Sequence, residues 1–287
     1  MPELPEVETT ARGLRPHLVG RQIVTVSGVD WPRMLPNATA ADLAAGLPGK
    51  RVEAVERRGK YLILQLSDGS ALMVHRKMSG NLLLQPAGSP LAPHTHFVLS
   101  FDDGSELHFV DPRKFGRIYS FSDSEALDAF LAARLGPEPL DNLTAARLAQ
   151  LIGSRRRRLK ALLLDQSFLA GLGNLYADEI LWQARLHPER SASSLTRPEL
   201  QRLAESIEHV LRAAIERRGT TFSSYLDAAG EPGANQLELQ VYGRAGQPCA
   251  RCGRAIERRL IAQRGTWLCP GCQRPRGSAP RAPSGTL

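Results

Sequence analysis

The sequence predicts an α+β protein: an antiparallel β-sandwich with one leading helix, then a helical domain, then a C-terminal zinc ribbon hairpin. Three observations carry this expectation. Between about residues 22 and 121, apolar and polar positions alternate around Asp-Gly turns. From about 123 the apolar positions recur at helical spacing instead. All four cysteines fall into two Cys-x-x-Cys pairs near the far end of the 287-residue chain.

The leading helix is expected over residues 4–20. Val7, Ala11, Leu14 and Leu18 share one face, Pro5 suits a first-turn position, and Gly20 closes it. Strands follow over 51–56 and 60–66 around Arg58-Gly59. Asp68-Gly69 turns the chain into 71–74, and Asp103-Gly104 joins 97–101 to 106–110. Gly136-Pro137-Glu138-Pro139, rich in breakers, marks a domain boundary. Beyond it, Thr196-Arg197-Pro198-Glu199 is a capping box opening a helix to Arg218, with Gly219 at its end. Leu200, Leu203, Ile207, Val210, Leu211, Ala214 and Ile215 form its apolar stripe. Residues 220–235 show no periodicity, and a loop of that length inside a compact domain is functional or disordered. Domains are therefore expected at 1–135, 136–235 and 236–274, with residues 275–287, rich in Pro, Gly, Ser and Arg, as a disordered tail.

The net charge of +8 points to a polyanionic partner, nucleic acid before an anionic membrane surface. No run of 18 apolar residues exists to span a bilayer, and no basic segment followed by an apolar one marks a secretory signal. The expected location is the reducing cytoplasm, where four cysteines are metal ligands rather than disulfides. Cys249 and Cys252 are separated by sixteen residues from Cys269 and Cys272, the spacing of a four-thiolate structural zinc site. One Zn2+ and no organic cofactor are expected. The ribbon between the pairs carries Arg258, Arg259 and Arg264 towards its tip, suited to gripping phosphates.

Two further stretches suit a phosphate backbone. The run Arg155-Arg156-Arg157-Arg158-Leu159-Lys160 is the densest in cations, although such runs are also ordinary solvated helix faces. Gly171-Leu172-Gly173-Asn174 reads as a glycine turn feeding a helix capped by Asn174, whose exposed N–H groups would attract an anion. The start, Met-Pro-Glu-Leu-Pro-Glu, is open to two readings. Acidic residues suit the first turn of any helix. Alternatively, removal of Met1 frees Pro2 as a secondary amine flanked by carboxylates, and an α-amino group titrates at roughly 8, well below a lysine.

Together, the Pro-Glu-Leu-Pro-Glu start, Asp111-Pro112-Arg113-Lys114-Phe115-Gly116, Gly171-Leu172-Gly173-Asn174, Leu239-Gln240-Val241-Tyr242-Gly243-Arg244 and the cysteine spacing resemble the bacterial formamidopyrimidine-DNA glycosylases. The likeness runs from Met1 to about Cys272. It implies a bifunctional enzyme of base-excision repair that removes 8-oxoguanine and formamidopyrimidines from damaged double-stranded DNA, then cuts the strand by β,δ-elimination through a Pro2 Schiff base. Nothing in the sequence suggests a dimer seam, so a monomer with no membrane partner is expected. Glu3 becomes the general acid and Glu6 a site-ordering residue. Lys60 becomes a phosphate contact and proton donor in β-elimination. Arg264 becomes a phosphate clamp with a role in δ-elimination. Asn174 falls at the phosphate-binding asparagine of a helix-two-turn-helix motif. His94, Arg113, Arg155 and Lys160 fall at DNA-contact positions. Met78, Arg113 and Phe115 correspond to the wedge that fills the gap left by an everted base, although core packing is the ordinary reading of Met78 and Phe115. Residues 220–235 fall at a lesion-capping loop.

The likeness departs at His75-Arg76-Lys77-Met78, where the family usually has His-Leu-Gly-Met; the two added cations are expected to strengthen phosphate contact. Three rivals are weighed against this reading. An endonuclease VIII-like enzyme for oxidised pyrimidines shares the fold, but Leu4 stands where that sister group usually has glycine. A non-catalytic zinc-containing DNA-binding protein leaves Pro2, Glu3, Glu6 and Lys60 unexplained. An RNA- or ribosome-binding protein fits the charge alone.

Overall fold

The structure, a computed structural model, describes residues 2–275. The expected disordered tail therefore lies, Pro275 apart, outside the described residues. None of the described helices is long and apolar enough to cross a membrane. The chain divides into two compact units.

The first unit comprises Met1–Asp141, Gln166–Leu172 and Leu211–Glu238. Helix α1 (Leu4–Leu18) is two residues shorter than expected, because Val19 leaves helical geometry and Gly20 turns at φ 86°. Val7, Ala11, Leu14 and Leu18 on its inner face are fully buried, as their spacing predicts. Two four-stranded antiparallel sheets follow. One has the order β1-β6-β7-β5, built from β1 (Ile23–Ser27), β5 (Asn81–Pro86), β6 (Thr95–Phe101) and β7 (Ser105–Val110). The other has the order β2-β3-β4-β8, built from β2 (Val52–Arg58), β3 (Tyr61–Leu66), β4 (Ala71–His75) and β8 (Arg117–Phe121). Helix α2 (Ala40–Gly46) lies between β1 and β2 in the chain, capped by Thr39 on the Asp42 N–H.

Both sheets and α1 contribute to one core that includes Ile23, Val55, Leu62, Leu64, Val74, Phe97, Leu107 and Phe109. Strand β3 is apolar on both sides for a reason. Leu62, Leu64 and Leu66 face that core, whereas Ile63 joins Met73, Phe121, Leu127 and Leu131 in a second cluster with α3 (Ser124–Ala132). The Asp68-Gly69 turn pairs β3 with β4 in the expected place, Ser70 donating its N–H to Asp68.

Residues 136–139 are tied to 166–170 within this unit. Gly136 N–H donates to the Gln166 carbonyl at 2.8 Å, and Ala170 N–H to that of Pro137 at 3.0 Å. Glu138 fixes the β2–β3 turn, so cutting there would orphan buried charge.

Among the described residues the second unit comprises Asn142–Asp165, Gly173–Val210 and residues 239–275. It contains α4 (Ala145–Ile152), α5 (Leu159–Leu163), α6 (Asn174–Gln183) and the ribbon β9 (Glu257–Ile261) and β10 (Arg264–Leu268). Helix α7 (Arg197–Glu216) runs from the second unit into the first by sequence. Of its expected capping box the Glu199 half is seen, with Thr196 N–H and Oγ1 both donating to Glu199 at 2.8 and 2.9 Å. Leu203, Ile207, Leu211, Ala214 and Ile215 of its stripe are buried, while Leu200 and Val210 are only half-buried. Trp182, Val241, Cys249, Ile256 and Cys269 form an apolar cluster that supports the ribbon.

Candidate active site and metal centre

In the first unit the chain start is buried rather than frayed. Pro2 is buried, and Glu3 and Glu6 are 4% and 3% exposed. Glu3 is the N-cap of α1, in extended geometry, and its N–H donates to Glu6 Oε2 at 2.8 Å. Glu6 Oε1 accepts the Thr220 N–H, also at 2.8 Å. Leu4 N–H donates to the Gly171 carbonyl at 3.0 Å. Gly171 takes φ 89°, and a side chain there would meet Leu4 Cβ at 2.8 Å, so this close approach requires glycine. The amino terminus is thus held by its own cap, by 171 and by 220.

Lys60, 7% exposed, follows a turn fixed by Glu138. That carboxylate accepts from Arg57 at 2.6 Å, Arg58 at 2.7 Å and the Gly59 N–H at 2.6 Å. Arg57 also donates to Glu8 at 2.9 Å. Burial alone would raise Glu8, but hydrogen bonds from Arg12 and Arg57 outweigh it and hold the carboxyl below its usual value. His75, opposite Tyr61 on β3, accepts the Lys77 N–H on Nδ1 at 2.9 Å. Burial of its ring, then the Lys77 and Lys60 cations, push it down to about 3, so it is neutral at physiological pH.

Met78, Arg113 and Phe115 come together on the surface. Met78 is 44% and Phe115 45% exposed, which removes core packing as their explanation. The Arg113 guanidinium lies 4.9 Å from the Phe115 ring centroid and donates to Met78 Sδ at 3.6 Å. The buried Asp111 carboxylate shapes the loop, accepting from Ser79 Oγ at 2.5 Å, Phe115 N–H at 2.9 Å and Gly116 N–H at 2.7 Å. Gly116 cannot carry a side chain, since a Cβ would lie 2.3 Å from Phe109. His94 is exposed in the left-handed region at φ 68°, and its carbonyl accepts the Asp111 N–H at 3.0 Å.

The cationic pair at 76–77 does not behave as a phosphate-facing pair. Arg76 is 1% exposed and therefore unavailable to a phosphate, while Lys77 is half-buried at φ 54°.

In the second unit the basic run divides. Arg155, Arg156, Arg157 and Arg158 are exposed, Arg155 donating to the Leu151 carbonyl. Lys160 departs from the expected surface contact: it is fully buried, with Nζ 2.7 Å from Asp178 and 2.7 Å from Thr266 Oγ1. Its charge is spent inside the unit, joining α5, α6 and β10. Burial pushes the Asp178 carboxyl up to about 7 against the pull of Lys160, while its other oxygen accepts the Trp267 N–H at 3.0 Å.

Asn174 is not a cap. Gly173 is the N-cap of α6, and Asn174 Nδ2 donates to the Gly265 carbonyl at 2.9 Å. In the preceding turn Gly171 and Gly173 are buried, and the Gly171 N–H donates to Gln166 Oε1 at 3.0 Å, within the first unit. Glu179, with no assigned role in the sequence, accepts the Gln240, Val241 and Tyr242 N–H groups at 2.9, 2.9 and 2.8 Å. A buried carboxylate serving three consecutive amides leaves no local signature. Nor does Glu138, whose partners lie about 80 residues away.

The four cysteine sulfurs lie within 4.8 Å of one another. Cys249 and Cys272 are 3.9 Å apart and Cys252 and Cys269 3.4 Å, close to the ~3.8 Å sulfur separation of a zinc tetrahedron with ~2.3 Å bonds. The donor set therefore fits Zn2+. Trp182 Nε1 donates to Cys249 Sγ at 3.4 Å, the kind of supporting bond that orients a thiolate ligand. The ribbon turns at Ala262-Gln263, both left-handed, leaving Arg264 exposed at the start of β10.

The matches to known proteins follow this architecture. The Formamidopyrimidine-DNA glycosylase N-terminal domain matches residues 1–118, the Formamidopyrimidine-DNA glycosylase H2TH domain 135–225, and the zinc finger found in FPG and IleRS 246–275. A formamidopyrimidine-DNA glycosylase of Herpetosiphon aurantiacus is 48% identical over 274 residues, covering 95% of this chain and all of that protein. The fold is similar to that of a Lactococcus lactis FPG mutant in complex with a Fapy-dG-containing DNA, with TM-score 0.88 and 37% identity over 96% of this chain and 100% of that one. It is likewise similar to wild-type Lactococcus lactis Fpg complexed with an oxidised-pyrimidine-containing DNA, at TM-score 0.87, 37% identity and the same coverage. With these domains in this order along its length, the chain belongs to the formamidopyrimidine-DNA glycosylase family.

Proposed function

We propose that the protein is a bifunctional DNA glycosylase and abasic-site lyase acting as a monomer on damaged double-stranded DNA in the cytoplasm. Its substrates are 8-oxoguanine and formamidopyrimidines. The observation that carries this reading is the buried acidic amino terminus, with Glu3 and Glu6 almost fully enclosed beside Pro2 in a chain of net charge +8. Carboxylates are rarely buried so completely without a task.

In this reading, removal of Met1 leaves Pro2 as the nucleophile. Its nitrogen bonds to the sugar C1′, and the bond from C1′ to the base breaks, the base leaving with the electron pair and a proton. Glu3 serves as the general acid at the sugar oxygen, opening the ring to an iminium. The iminium acidifies the C2′ hydrogen; its loss expels the 3′ phosphate, and a second elimination expels the 5′ phosphate. Lys60 donates a proton and binds phosphate, Arg264 clamps the phosphate near the lesion, and Glu6 orders the site. Asn174, Arg155 and His94 bind the DNA backbone. Met78 and Phe115 replace lost stacking, and Arg113 bonds the orphaned base, offsetting the few kcal/mol that eversion costs. Residues 220–235 close over the everted base. Cys249, Cys252, Cys269 and Cys272 hold one structural Zn2+.

A lesion panel tests the reading. Cleavage of 8-oxoguanine and formamidopyrimidine duplexes to a one-nucleotide gap with phosphates at both ends supports it. The complex of the Lactococcus lactis protein with an oxidised pyrimidine keeps a pyrimidine specificity in view. Preference for pyrimidine lesions in the panel would replace the purine assignment with that one.

A further inference from the structure

Arg76 is a guanidinium with 1% exposure, yet the acceptors of its hydrogen bonds are all neutral. Nε donates to the Gly80 carbonyl at 2.7 Å, Nη1 to Thr10 Oγ1 at 2.6 Å, and Nη2 to Asn81 Oδ1 and, at 3.1 Å, the Leu226 carbonyl. The group also lies 5.0 Å from the Tyr225 ring centroid. Asn81 continues the contact: its Nδ2 donates to the Ser224 carbonyl at 2.6 Å, and its Oδ1 accepts the Leu226 N–H at 3.1 Å. Arg76 from the β4–β5 connection and Asn81 at the start of β5 thereby hold the main chain of 224–226 as a neighbouring strand would. At the other end, Glu6 holds Thr220. Between the two anchors Phe222 stands 58% exposed.

Burying a cation whose hydrogen bonds go to neutral acceptors is costly even with the Glu6 and Asp227 charges favouring it, and an apolar side chain fills such a space at less cost. What the guanidinium adds is direction: a rigid fork whose donors fix the position of a specific carbonyl. We propose that Arg76 is a positioning residue for base excision, fixing the 220–228 segment through Leu226 and Asn81 so that the segment closes on the everted base. This rests on the reading above that residues 220–235 cover that base. Arg76 touches no reacting atom, and its influence is confined to the step in which a base is present.

The test compares two substrates of the full-length, zinc-loaded protein: a duplex carrying 8-oxoguanine and the same duplex carrying a preformed abasic site. In Arg76→Met, kcat/KM for base excision is expected to fall about tenfold, while abasic-site cleavage stays within about twofold. Asn81→Ala, which keeps the guanidinium and its bond to the Leu226 carbonyl but removes the Asn81 bonds to the Ser224 carbonyl and the Leu226 N–H, is expected to shift the ratio in the same direction. It decides the matter if Arg76→Met does not fold. General destabilisation lowers both activities together and leaves the ratio unmoved, and that result overturns the proposal while the glycosylase reading stands. A wild-type protein active on neither substrate overturns the glycosylase reading and this proposal with it.

Discussion

The Glu6 carboxylate accepts the Thr220 N–H at 2.8 Å across 214 residues of sequence, so the amino-terminal helix and an irregular distant segment share one buried anion. The other oxygen accepts the Glu3 N–H. Both bonds need a carboxylate, because a carboxamide presents one acceptor and one donor to two N–H groups. Glu6→Gln is therefore expected to lose about 1–3 kcal/mol of stability and to slow base excision. Thermal melting beside single-turnover kinetics checks this; an unchanged melting temperature would mean that the two bonds contribute nothing.

In the proposed function Met78 and Phe115 act on the DNA without holding the fold together. Both are nearly half-exposed. Replacing either by alanine is expected to change stability by no more than about 0.5 kcal/mol. Excision from duplex DNA should nevertheless fall, because the everted state loses its filler. Loss of stability in proportion to activity would assign both residues to packing instead.

Lys160 and Arg155 lie five positions apart in one cationic run and should fail in opposite ways. Lys160→Met strands a buried Asp178 and is expected to cost about 3–5 kcal/mol by denaturant titration. Arg155→Ala should leave stability unchanged, weaken DNA binding and reduce the salt slope of log K by about one. An unaltered slope would remove Arg155 from the phosphate contacts.

This division was not legible in the sequence, where both residues belong to one charge run. Period and turn chemistry are local, so α1, the Asp-Gly hairpins, the start of α7 and the cysteine ribbon could all be read directly. Partners that meet across the fold are not local. Glu138 beneath the Lys60 turn, Glu179 beneath 240–242, Asp111 within the wedge loop and Arg76 beneath 224–226 each look like a solvated charge until their acceptors and donors are known. Asn174 shows the converse, a sequence suited to capping whose side chain is used by the Gly265 carbonyl instead.

Acid should weaken the fold through His75. Its folded-state value, about 3, lies below the ordinary 6.5, so the unfolded chain binds the extra proton between those values. Stability from this group is full above about pH 6.5 and is lost as pH falls towards 3, at up to about tenfold in the unfolding constant per pH unit. His75→Gln should flatten the urea-midpoint profile between pH 6 and 4. A wild-type profile that is already flat there would show the ring to be protonated in the folded state.

The central claim is that Pro2 is the nucleophile. A duplex with 8-oxoguanine opposite cytosine, incubated with the protein and borohydride, should yield a covalent protein–DNA adduct. Mass spectrometry should place the attachment on the nitrogen of Pro2, with Met1 absent. An adduct on a lysine, or strand cleavage with no adduct, would contradict the account.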